Sequence, residues 1–452
     1  MDTKLSKVQE KQLYFGENLR KRQIAAGYTI EEIEQILVPM AEDGKETLAS
    51  MGDDTPSAVL SERYRPLSHY FRQNFSQVTN PPIDSLREFR VMSLKTRFGN
   101  LRNVLDEGSN QTEILALESP FVGNSQWEEL IKNFKADVIN LDCTFAKSAG
   151  KETLQTQLDR IRKEAEDAVR SGAGHIVLTD QNIDESRVAM PMILATSAVH
   201  SHLTRKGLRT FCSINVRSSE CLDPHYFSVL IGAGASVVNA YLAEDTLADR
   251  IEKGLLNGPL TEVISRYRDA IDQGLLKIMS KMGISVLSSY RGGCNFETVG
   301  LSRTVVDDYF PGVTSKISGI GLVGIEKKIR EIHKEAFEST ETILPIGGIY
   351  RYRKNGETHQ YQGRLIHLLQ SAVGSNSYQA YKKYAEGIYN LPPINLRDLI
   401  NFRKKKLGPS IKISEVEPIE KILKRFGSGS MSHGALSKEA HETLAIGMNR
   451  IK

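Results

Sequence analysis

Short apolar runs alternate with amphipathic stretches through the middle of the chain. The apolar runs predict strands at 137–143, 175–179, 210–216, 236–241 and 284–288. The stretches between them predict helices at 152–170, 191–205, 224–231 and 260–282. Because short buried strands that alternate with helices pair in parallel, the pattern predicts an α/β fold with a barrel-like (β/α) parallel sheet. An open doubly wound sheet fits the same pattern and stays an alternative.

The region before this alternation has a helical pattern. One segment begins at Thr29 with Glu32 three positions later, which is the spacing of a capping box. Apolar residues follow at helical spacing. We therefore expect residues 1–70 to form an N-terminal helical extension that leads into a central domain over 71–390.

The periodic pattern ends well before the chain does. Prolines and basic residues predict a linker over 391–412, and the basic cluster Arg403–Lys406 inside it is interpreted as a solvated connector. A last unit over 413–452 contains an apolar run, a turn rich in glycine and serine, and a predicted helix over 437–448. Ser437 has the position and side chain of an N-cap residue for that helix.

Composition and charge exclude several classes of protein. The 452 residues are 40% hydrophobic and 25% charged, with a net charge of +4 and acidic residues interleaved among the basic ones. No apolar run is long enough to cross a bilayer, and the first twenty residues do not resemble a signal peptide. The four cysteines are scattered, which is typical of a reducing compartment. We expect a cytoplasmic protein that binds neither nucleic acid nor membrane.

Two local motifs have both a functional and a structural interpretation. Residues 319–324 match the Gly-x-Gly-x-x-Gly dinucleotide fingerprint, but residues 313–317 make a poor buried strand before it, so a flexible turn ahead of a helix is favoured. His200 and His202 lie two positions apart on a predicted helix and point to opposite sides, which argues against a shared metal ion. No Cys-x-x-Cys pair is present either, so no metal is predicted at Cys212, Cys221 or His225.

Catalytic patterns are equally sparse. No Gly-x-Ser-x-Gly turn is present, and no cysteine has the sequence context of a nucleophile. Paired carboxylates such as Asp53-Asp54 and Asp307-Asp308 are more often solvated turns. The residues alone therefore predict neither a catalytic nor a metal-binding residue.

Longer segments resemble the large subunit of glutamate synthase, and they follow one another in order from about residue 25 to residue 451. They are Ser50-Met-Gly-Asp-Asp-Thr-Pro56, Gln77-Val-Thr-Asn-Pro-Pro-Ile-Asp84, Val91-Met-Ser-Leu94, Gly207-Leu-Arg-Thr210, Leu276-Lys-Ile-Met-Ser-Lys-Met-Gly-Ile284, Ser289-Tyr-Arg-Gly292, Ser430-Met-Ser432 and Ser437-Lys-Glu-Ala-His441. Long collinear similarity of this kind is far more specific than the short motifs above.

The resemblance implies a fold and a reaction. The family joins a glutaminase domain, a central domain resembling an incomplete (β/α) barrel, a flavin-binding barrel and a β-helix. Ammonia from glutamine passes through the protein to 2-oxoglutarate, and reduced FMN converts the resulting imine to glutamate. By this resemblance residues 71–390 are the central domain, and 413–452 are the first βα unit of a second (β/α)8 barrel.

The same resemblance assigns roles to a few residues. Ser430, Met431 and Ser432, expected at the end of the first flavin-barrel strand, would contact FMN in the intact enzyme, and Met51 would reach toward the 2-oxoglutarate pocket. His433, Ala435 and Ala240 depart from the residues usual in the family. The glutaminase nucleophile, the ligands of the family's iron–sulfur cluster and most of the flavin barrel have no counterpart here, so the chain alone is expected to bind no cofactor and to be inactive.

Three hypotheses follow. In the first, the chain is a truncated or split large subunit that acts as a scaffold between the glutaminase and FMN domains, possibly with the small subunit as a further partner. In the second, it is a binding subunit completed by separate chains. In the third, it is an independent oxidoreductase that binds a dinucleotide at residues 319–324. Under the first two, we expect residues from about 410 onward to be poorly ordered or to bind a partner.

Overall fold

The computed structural model describes residues 10–49, 52–74, 83–101, 105, 114–134, 137–148, 150, 152–340 and 342–451, with Lys405 described by its backbone only. The chain divides into two compact units, with the boundary between Leu396 and Arg397.

The strands are short and lie mainly in the first three quarters of the chain. They are β1 (Phe71–Gln73), β2 (Thr96–Phe98), β3 (Leu115–Leu117), β4 (Val138–Asp142), β5 (Thr144–Ala146), β6 (His175–Thr179), β7 (Arg187–Ala189), β8 (Ser213–Arg217), β9 (Val237–Asn239), β10 (Phe296–Leu301) and β11 (Thr314–Ile320).

Helices make up most of the remaining regular structure. They are α1 (Gly16–Ala25), α2 (Ile30–Glu32), α3 (Val38–Asp43), α4 (Glu88–Val91), α5 (Asn124–Asn133), α6 (Leu154–Arg170), α7 (Met192–Arg205), α8 (Pro224–Gly232), α9 (Tyr241–Glu252), α10 (Leu260–Met282), α11 (Leu287–Tyr290), α12 (Arg303–Tyr309), α13 (Leu322–Glu338), α14 (Gly363–Gly374), α15 (Tyr378–Tyr389), α16 (Ile419–Leu423) and α17 (Lys438–Arg450). A π-helical turn, Ile33–Leu37, joins α2 to α3, and 3-10 turns lie at Leu67–Tyr70, Arg209–Phe211, Leu396–Leu399, Lys404–Lys406 and Ile413–Glu415.

A four-stranded parallel sheet forms the centre of the first unit. Its order is β4-β6-β8-β9, with β6 and β8 paired in register from His175 opposite Ser213 to Thr179 opposite Arg217. Phe121 forms a further parallel bridge to Val238 beside β9. A second sheet has the order β1-β10-β11, in which β10 and β11 are parallel. The predicted α/β class with a parallel sheet is confirmed, and the barrel-like closure stays a prediction.

Several elements agree with the sequence pattern and others do not. The strand β6 and the helix α10 have the predicted bounds. The strand predicted at 284–288 is wrong: only Val286 makes a bridge, to Ser93, and the chain then turns into α11. The sequence analysis missed β10. It expected 313–317 to make a poor buried strand, and β11, which forms there, is indeed not a buried one. Strand β11 is a sheet edge whose side chains are exposed or half-exposed, so it lacks the apolar signal of a buried strand.

The N-terminal helices belong to the core of the first unit. The predicted capping box is confirmed: the Thr29 side chain accepts from the Glu32 amide, and the Glu32 carboxylate accepts from the Thr29 amide. Helix α3 packs on α10, and α1 packs on α13. Ile33 and Leu37 are fully buried. Removing this region would therefore expose the apolar faces of α10 and α13.

The second unit differs from the expected strand–helix unit. Residues 413–451, all of them described, contain α16 and α17 but no strand, so the strand expected ahead of Ser430 is not formed here. A β-strand needs a neighbour for its backbone hydrogen bonds, and the second unit offers no strand to pair with. None of its described side chains is buried, and Ile413 and Phe426 are among its exposed apolar residues. The predicted helix at 437–448 is confirmed as α17, capped by the Ser437 hydroxyl.

Candidate functional site

Polar side chains gather at the carboxyl ends of the parallel strands, which is where α/β proteins commonly place their sites. Asp180 directly follows β6 and is fully buried. Its Oδ2 accepts hydrogen bonds from the Ser219 amide at 2.8 Å and the Ser219 hydroxyl at 2.7 Å. Ser219 lies two positions after the end of β8. Asp180 therefore ties the ends of two adjacent strands together.

Arg217, the last residue of β8, carries the main positive charge of this edge. Its Nη1 lies 3.2 Å from a Glu128 carboxylate oxygen, and its guanidinium approaches the rings of Trp127 and Tyr241. Among the described residues, the Arg217 Nε and Nη2 are buried without a hydrogen-bond partner. The Tyr241 hydroxyl and the Asp180 carboxyl interact with each other, although their geometry falls short of a regular hydrogen bond. Buried polar atoms are rarely left unpaired, so this edge has the capacity to hold small polar molecules such as water.

The N-terminal segment covers the same edge. The two carboxylate oxygens of Asp245 accept from the Leu13 amide at 2.8 Å and the Tyr14 amide at 3.0 Å. Arg22 stacks on the Tyr14 ring at 3.8 Å and donates to the Gln181 carbonyl at 3.0 Å. Residues 12–22 therefore cover the carboxyl ends of the strands, held there by the amides bound to Asp245 and by the Arg22 guanidinium.

The electrostatics of this edge favour protonated carboxyl groups. Burial raises the pKa of Asp180 and the pKa of Glu244, and it raises the pKa of Asp245 to about 7 despite the two backbone amides that donate to it. A carboxyl group with a pKa near neutrality gains and loses a proton readily at physiological pH.

A second cluster of hydrogen bonds surrounds Asp54, which is close in sequence to the predicted substrate residue. Met51 itself lies outside the described residues, so its role stays a prediction. Asp54, three positions later, has one carboxylate oxygen 2.8 Å from His359 Nδ1, and the other accepts from the Tyr361 amide at 2.9 Å. The Asp54 carbonyl accepts from the Gln360 amide at 2.9 Å. His359 is held on its other side by the Gly348 carbonyl, 2.6 Å from Nε2.

Two buried carboxylates extend this cluster. Glu357 accepts from the Ser61 hydroxyl at 2.7 Å and from Arg65 Nε at 3.0 Å, and the Arg65 and Glu357 side chains are 5% and 2% exposed. The Glu31 carboxylate accepts from three successive amides at 349–351, at 2.6, 3.2 and 2.9 Å. The segment 345–361 is thereby fixed against residues 31–65.

The residues predicted to contact FMN lie in the second unit. Ser430, Met431 and Ser432 occupy an irregular stretch between α16 and α17, and both serines are exposed. The Ser432 hydroxyl accepts from the Gly434 amide at 3.2 Å, so it shapes a turn before α17. Their role toward a flavin stays a prediction.

The glycine motif has a structural explanation. Residues 319–324 are not a flexible turn: they end β11 and begin α13, so that interpretation is wrong. A Cβ on Gly319 would lie 2.0 Å from the Gly300 carbonyl oxygen, which explains the glycine by close strand packing. The arrangement gives no reason to prefer a dinucleotide.

The histidines weighed as metal ligands are each engaged elsewhere. His200 Nδ1 lies 2.9 Å from Arg209 Nε, His202 Nε2 lies 2.7 Å from a Glu166 oxygen, and His225 Nε2 lies 3.0 Å from the Ser68 carbonyl. The described part of the chain has no group of three or more His, Cys, Asp or Glu side chains placed to hold a metal ion. Nor does it contain a helix that is long and apolar enough to cross a membrane.

Sequence reasoning missed the residues that organise both clusters. Asp180 and Arg217 follow or end predicted strands, so inspecting polar residues at the carboxyl ends of the strands would have found them. The pairing of Asp54 with His359 had no local signal, because 305 positions separate the two residues.

Comparison with known proteins identifies the family that this chain resembles. The family described as "Glutamate synthase central domain" matches residues 21–302, and "Conserved region in glutamate synthase" matches residues 359–452. The large chain of glutamate synthase [NADPH] from Azospirillum brasilense is 55% identical over 434 residues, covering 96% of this chain and 28% of that protein. The corresponding large chain of Bacillus subtilis (strain 168) is 41% identical over 438 residues, with coverages of 96% and 28%. Ferredoxin-dependent glutamate synthase 2 of Synechocystis sp. is 39% identical over 460 residues, with coverages of 96% and 29%.

Among solved structures, the flavin-binding domain of baker's yeast flavocytochrome b2 matches with a TM-score of 0.25 and 16% identity, covering 43% of this chain and 45% of that one. A TM-score this low carries no argument about function. The fold and the two clusters define an α/β protein with a densely hydrogen-bonded polar framework. The chain belongs to the glutamate synthase family, and it spans about 28% of the length of its Azospirillum and Bacillus relatives.

Proposed function

We propose that this chain is the central scaffold of a glutamate synthase, positioned between the glutaminase and FMN parts of the enzyme. The single observation that carries the proposal is the tie between Asp54 and residues 359–361. It connects the region similar to the central domain with the first residues of the second family region. Both partners lie in the first compact unit. Three hydrogen bonds to Asp54 fix its position against residues 359–361, and this supports a framework role for the unit.

The polar edge of the sheet has a part in this proposal. In the intact enzyme, ammonia released from glutamine would travel to 2-oxoglutarate, and a scaffold would line part of its path. The unpaired Arg217 nitrogens at this edge support this role, because a small neutral molecule can accept hydrogen bonds from them. A barrel-like closure of the strands would enclose such a path.

FMN belongs to the proposal as the cofactor of the intact enzyme, where it would supply the hydride that reduces the imine. The described residues of the second unit offer small side chains at Ser430 and Ser432 but do not by themselves enclose a flavin. The partners proposed are the glutaminase and FMN domains or chains, together with the small subunit. An iron–sulfur cluster would belong to those other parts.

A chimera tests the scaffold role directly. The 434 matched residues of the Azospirillum large chain would be replaced by the corresponding residues of this chain. We expect the chimera to retain glutamine-dependent glutamate formation. Loss of glutamate formation in a folded chimera that still hydrolyses glutamine and binds FMN would refute the proposal.

Two matched variants of the chimera test the tie itself. Asp54→Asn removes the charge that pairs with His359, and we expect less glutamate formed per glutamine hydrolysed, because residues 52–54 lose their fixed position against residues 359–361. Asp53→Asn is the control, since among the described residues its carboxylate accepts from the Thr55 amide and hydroxyl of its own turn and not from residues 359–361. Equal coupling ratios in the two variants would contradict a role for the tie.

The chain by itself gives a simpler test. We expect the purified chain to show no flavin absorbance and to form no glutamate from glutamine and 2-oxoglutarate. Stoichiometric FMN that copurifies with activity would contradict the proposal.

A further inference from the structure

A cavity of about 290 Å³ lies between α7, the end of α8 and the loops around residues 292 and 311. It is distinct from both clusters described above. Its wall is mainly apolar, with the rings of Phe71, Phe296 and Phe310 packed edge to face and Val229 beside them. An engineered cavity of about 150 Å³ accommodates benzene, so this cavity has room for an aromatic ring with a short substituent.

Most polar side chains of the wall are turned away from the cavity. The hydroxyls of Ser197, Ser201 and Thr204 all donate to backbone carbonyls. Arg205, at the rim, pairs with Asp308 at 3.2 Å. The imidazole of His200 is therefore the polar side chain through which the described wall can bind a guest.

The partner of His200 determines its tautomer. Arg209 Nε donates to His200 Nδ1 at 2.9 Å, and a guanidinium has no acceptor, so Nδ1 carries no proton. Burial, reinforced by Arg209 and Arg291, lowers the pKa of His200 to about 3, so the ring is neutral. The proton of the neutral ring is then on Nε2. That atom lies close to Gly292, where a Cβ would be 2.7 Å away, so any larger residue at 292 would cover it. His200 and Gly292 both line the cavity, and no described residue accepts the Nε2 proton.

The surroundings make this proton a strong donor. The other two nitrogens of Arg209 donate to the Cys212 carbonyl at 2.7 Å and the Gly234 carbonyl at 2.8 Å, and no described carboxylate pairs with the guanidinium. A cation that donates to one ring nitrogen polarises the imidazole and strengthens donation from the other. Arg291 adds a second positive charge close by. The cavity therefore favours a guest with a negatively charged acceptor.

We propose that this cavity is a binding site for a small carboxylate with an aromatic or branched aliphatic body, whose carboxylate accepts the Nε2 proton of His200. The body lies against the phenylalanine rings, where its apolar surface is removed from water. The carboxylate lies in the positive potential of Arg209 and Arg291. Nothing in the scaffold role requires such a site, so this ligand would be a regulator or an additional substrate.

Titration of the whole chain with phenylacetate, compared with the neutral analogue 2-phenylethanol, tests the proposal. We expect phenylacetate to bind roughly tenfold more tightly, because a hydrogen bond to a charged acceptor contributes more than one to a neutral acceptor. We also expect the Nε2 nitrogen resonance of His200 to shift on addition of phenylacetate. Equal affinities would refute the carboxylate preference, and an unchanged resonance at about 10 mM phenylacetate would refute the site itself.

Three variants separate the donor from the cavity shape. His200→Phe keeps a ring but removes the donor, and we expect it to lose the preference for phenylacetate. His200→Gln keeps an acceptor for Arg209 and a donor toward the cavity, so it should retain the preference. His367→Phe, at an exposed position on α14, is the control and should bind like the wild type. A preference that survives in His200→Phe would refute the assignment; if that variant does not fold, the resonance shift of the wild type decides.

Discussion

The buried ion pair between Arg65 and Glu357 allows a quantitative prediction. Glu357→Gln removes the negative charge but keeps the shape and one acceptor, so Arg65 is left as an uncompensated charge with a side chain only 5% exposed. Breaking a buried pair from one side typically costs about 3–5 kcal/mol. The amide can still accept one of the hydrogen bonds from Ser61 and Arg65, which reduces the loss. We expect the free energy of unfolding of the first unit to fall by about 3 kcal/mol.

Urea unfolding followed by tryptophan fluorescence measures this change, because Trp127 is the single tryptophan and is buried in the first unit. Glu331→Gln is the matched control: its pair with Lys327 is exposed and 3.8 Å long, and should contribute less than about 0.5 kcal/mol. The double variant Arg65→Met with Glu357→Leu should recover most of the loss, since no unpaired charge remains. A loss below about 1 kcal/mol in Glu357→Gln would refute the reasoning.

Three further predictions concern pH, packing and the second unit. Burial raises the pKa of Glu220 from near 4.5 to about 7, so between these values the native state retains a proton that the unfolded chain releases. The free energy of unfolding should therefore fall as the pH rises through this window. Urea titrations at pH 5 and 7.5 should show a smaller fall in Glu220→Gln than in the wild type, and equal falls in the two proteins would contradict this prediction. Gly319→Ala should lower the melting temperature, whereas Gly363→Ala, which has open space around it, should not; equal melting temperatures would contradict the close strand packing. Hydrogen exchange should be fast throughout 413–448 and slow in α10, and strong cooperative protection of 413–448 in a monomer would show that the second unit is stable by itself.

The regular part of the fold could be predicted because its periodicity is strong. Strand β6 is almost completely buried, and its sequence is mainly apolar. Helix α10 is buried on one side, and its sequence is amphipathic. Helix α9 was missed for the opposite reason. Its first nine residues, from Tyr241 to Asp249, are all buried, although Glu244, Asp245, Thr246 and Asp249 among them are polar. The polar positions therefore do not mark a solvent-exposed face, which is the usual signal of a helix. Tyr241 was assigned to the end of a strand although it begins this helix.

The candidate site was less predictable than the fold. Family resemblance pointed to the loop around Met51, but not to the contacts that hold the loop. Asp54 looked like one of many paired carboxylates in a solvated turn, and its partner His359 had no motif of its own. Contacts between residues so distant in sequence depend on the assembled tertiary structure, which local pattern does not encode.

The long-range ties have a consequence for how the protein is made. Glu31 accepts hydrogen bonds from residues up to 320 positions further along the chain. At a synthesis rate of about 5–20 residues per second, roughly 15–60 s separate the emergence of these partners from the ribosome. During that interval the buried side chains of Ile33, Leu37 and Met40 lack much of their final packing, because α10 is synthesised more than two hundred residues later. The N-terminal helices must therefore be shielded, by a chaperone or by transient collapse, until the later segments are complete.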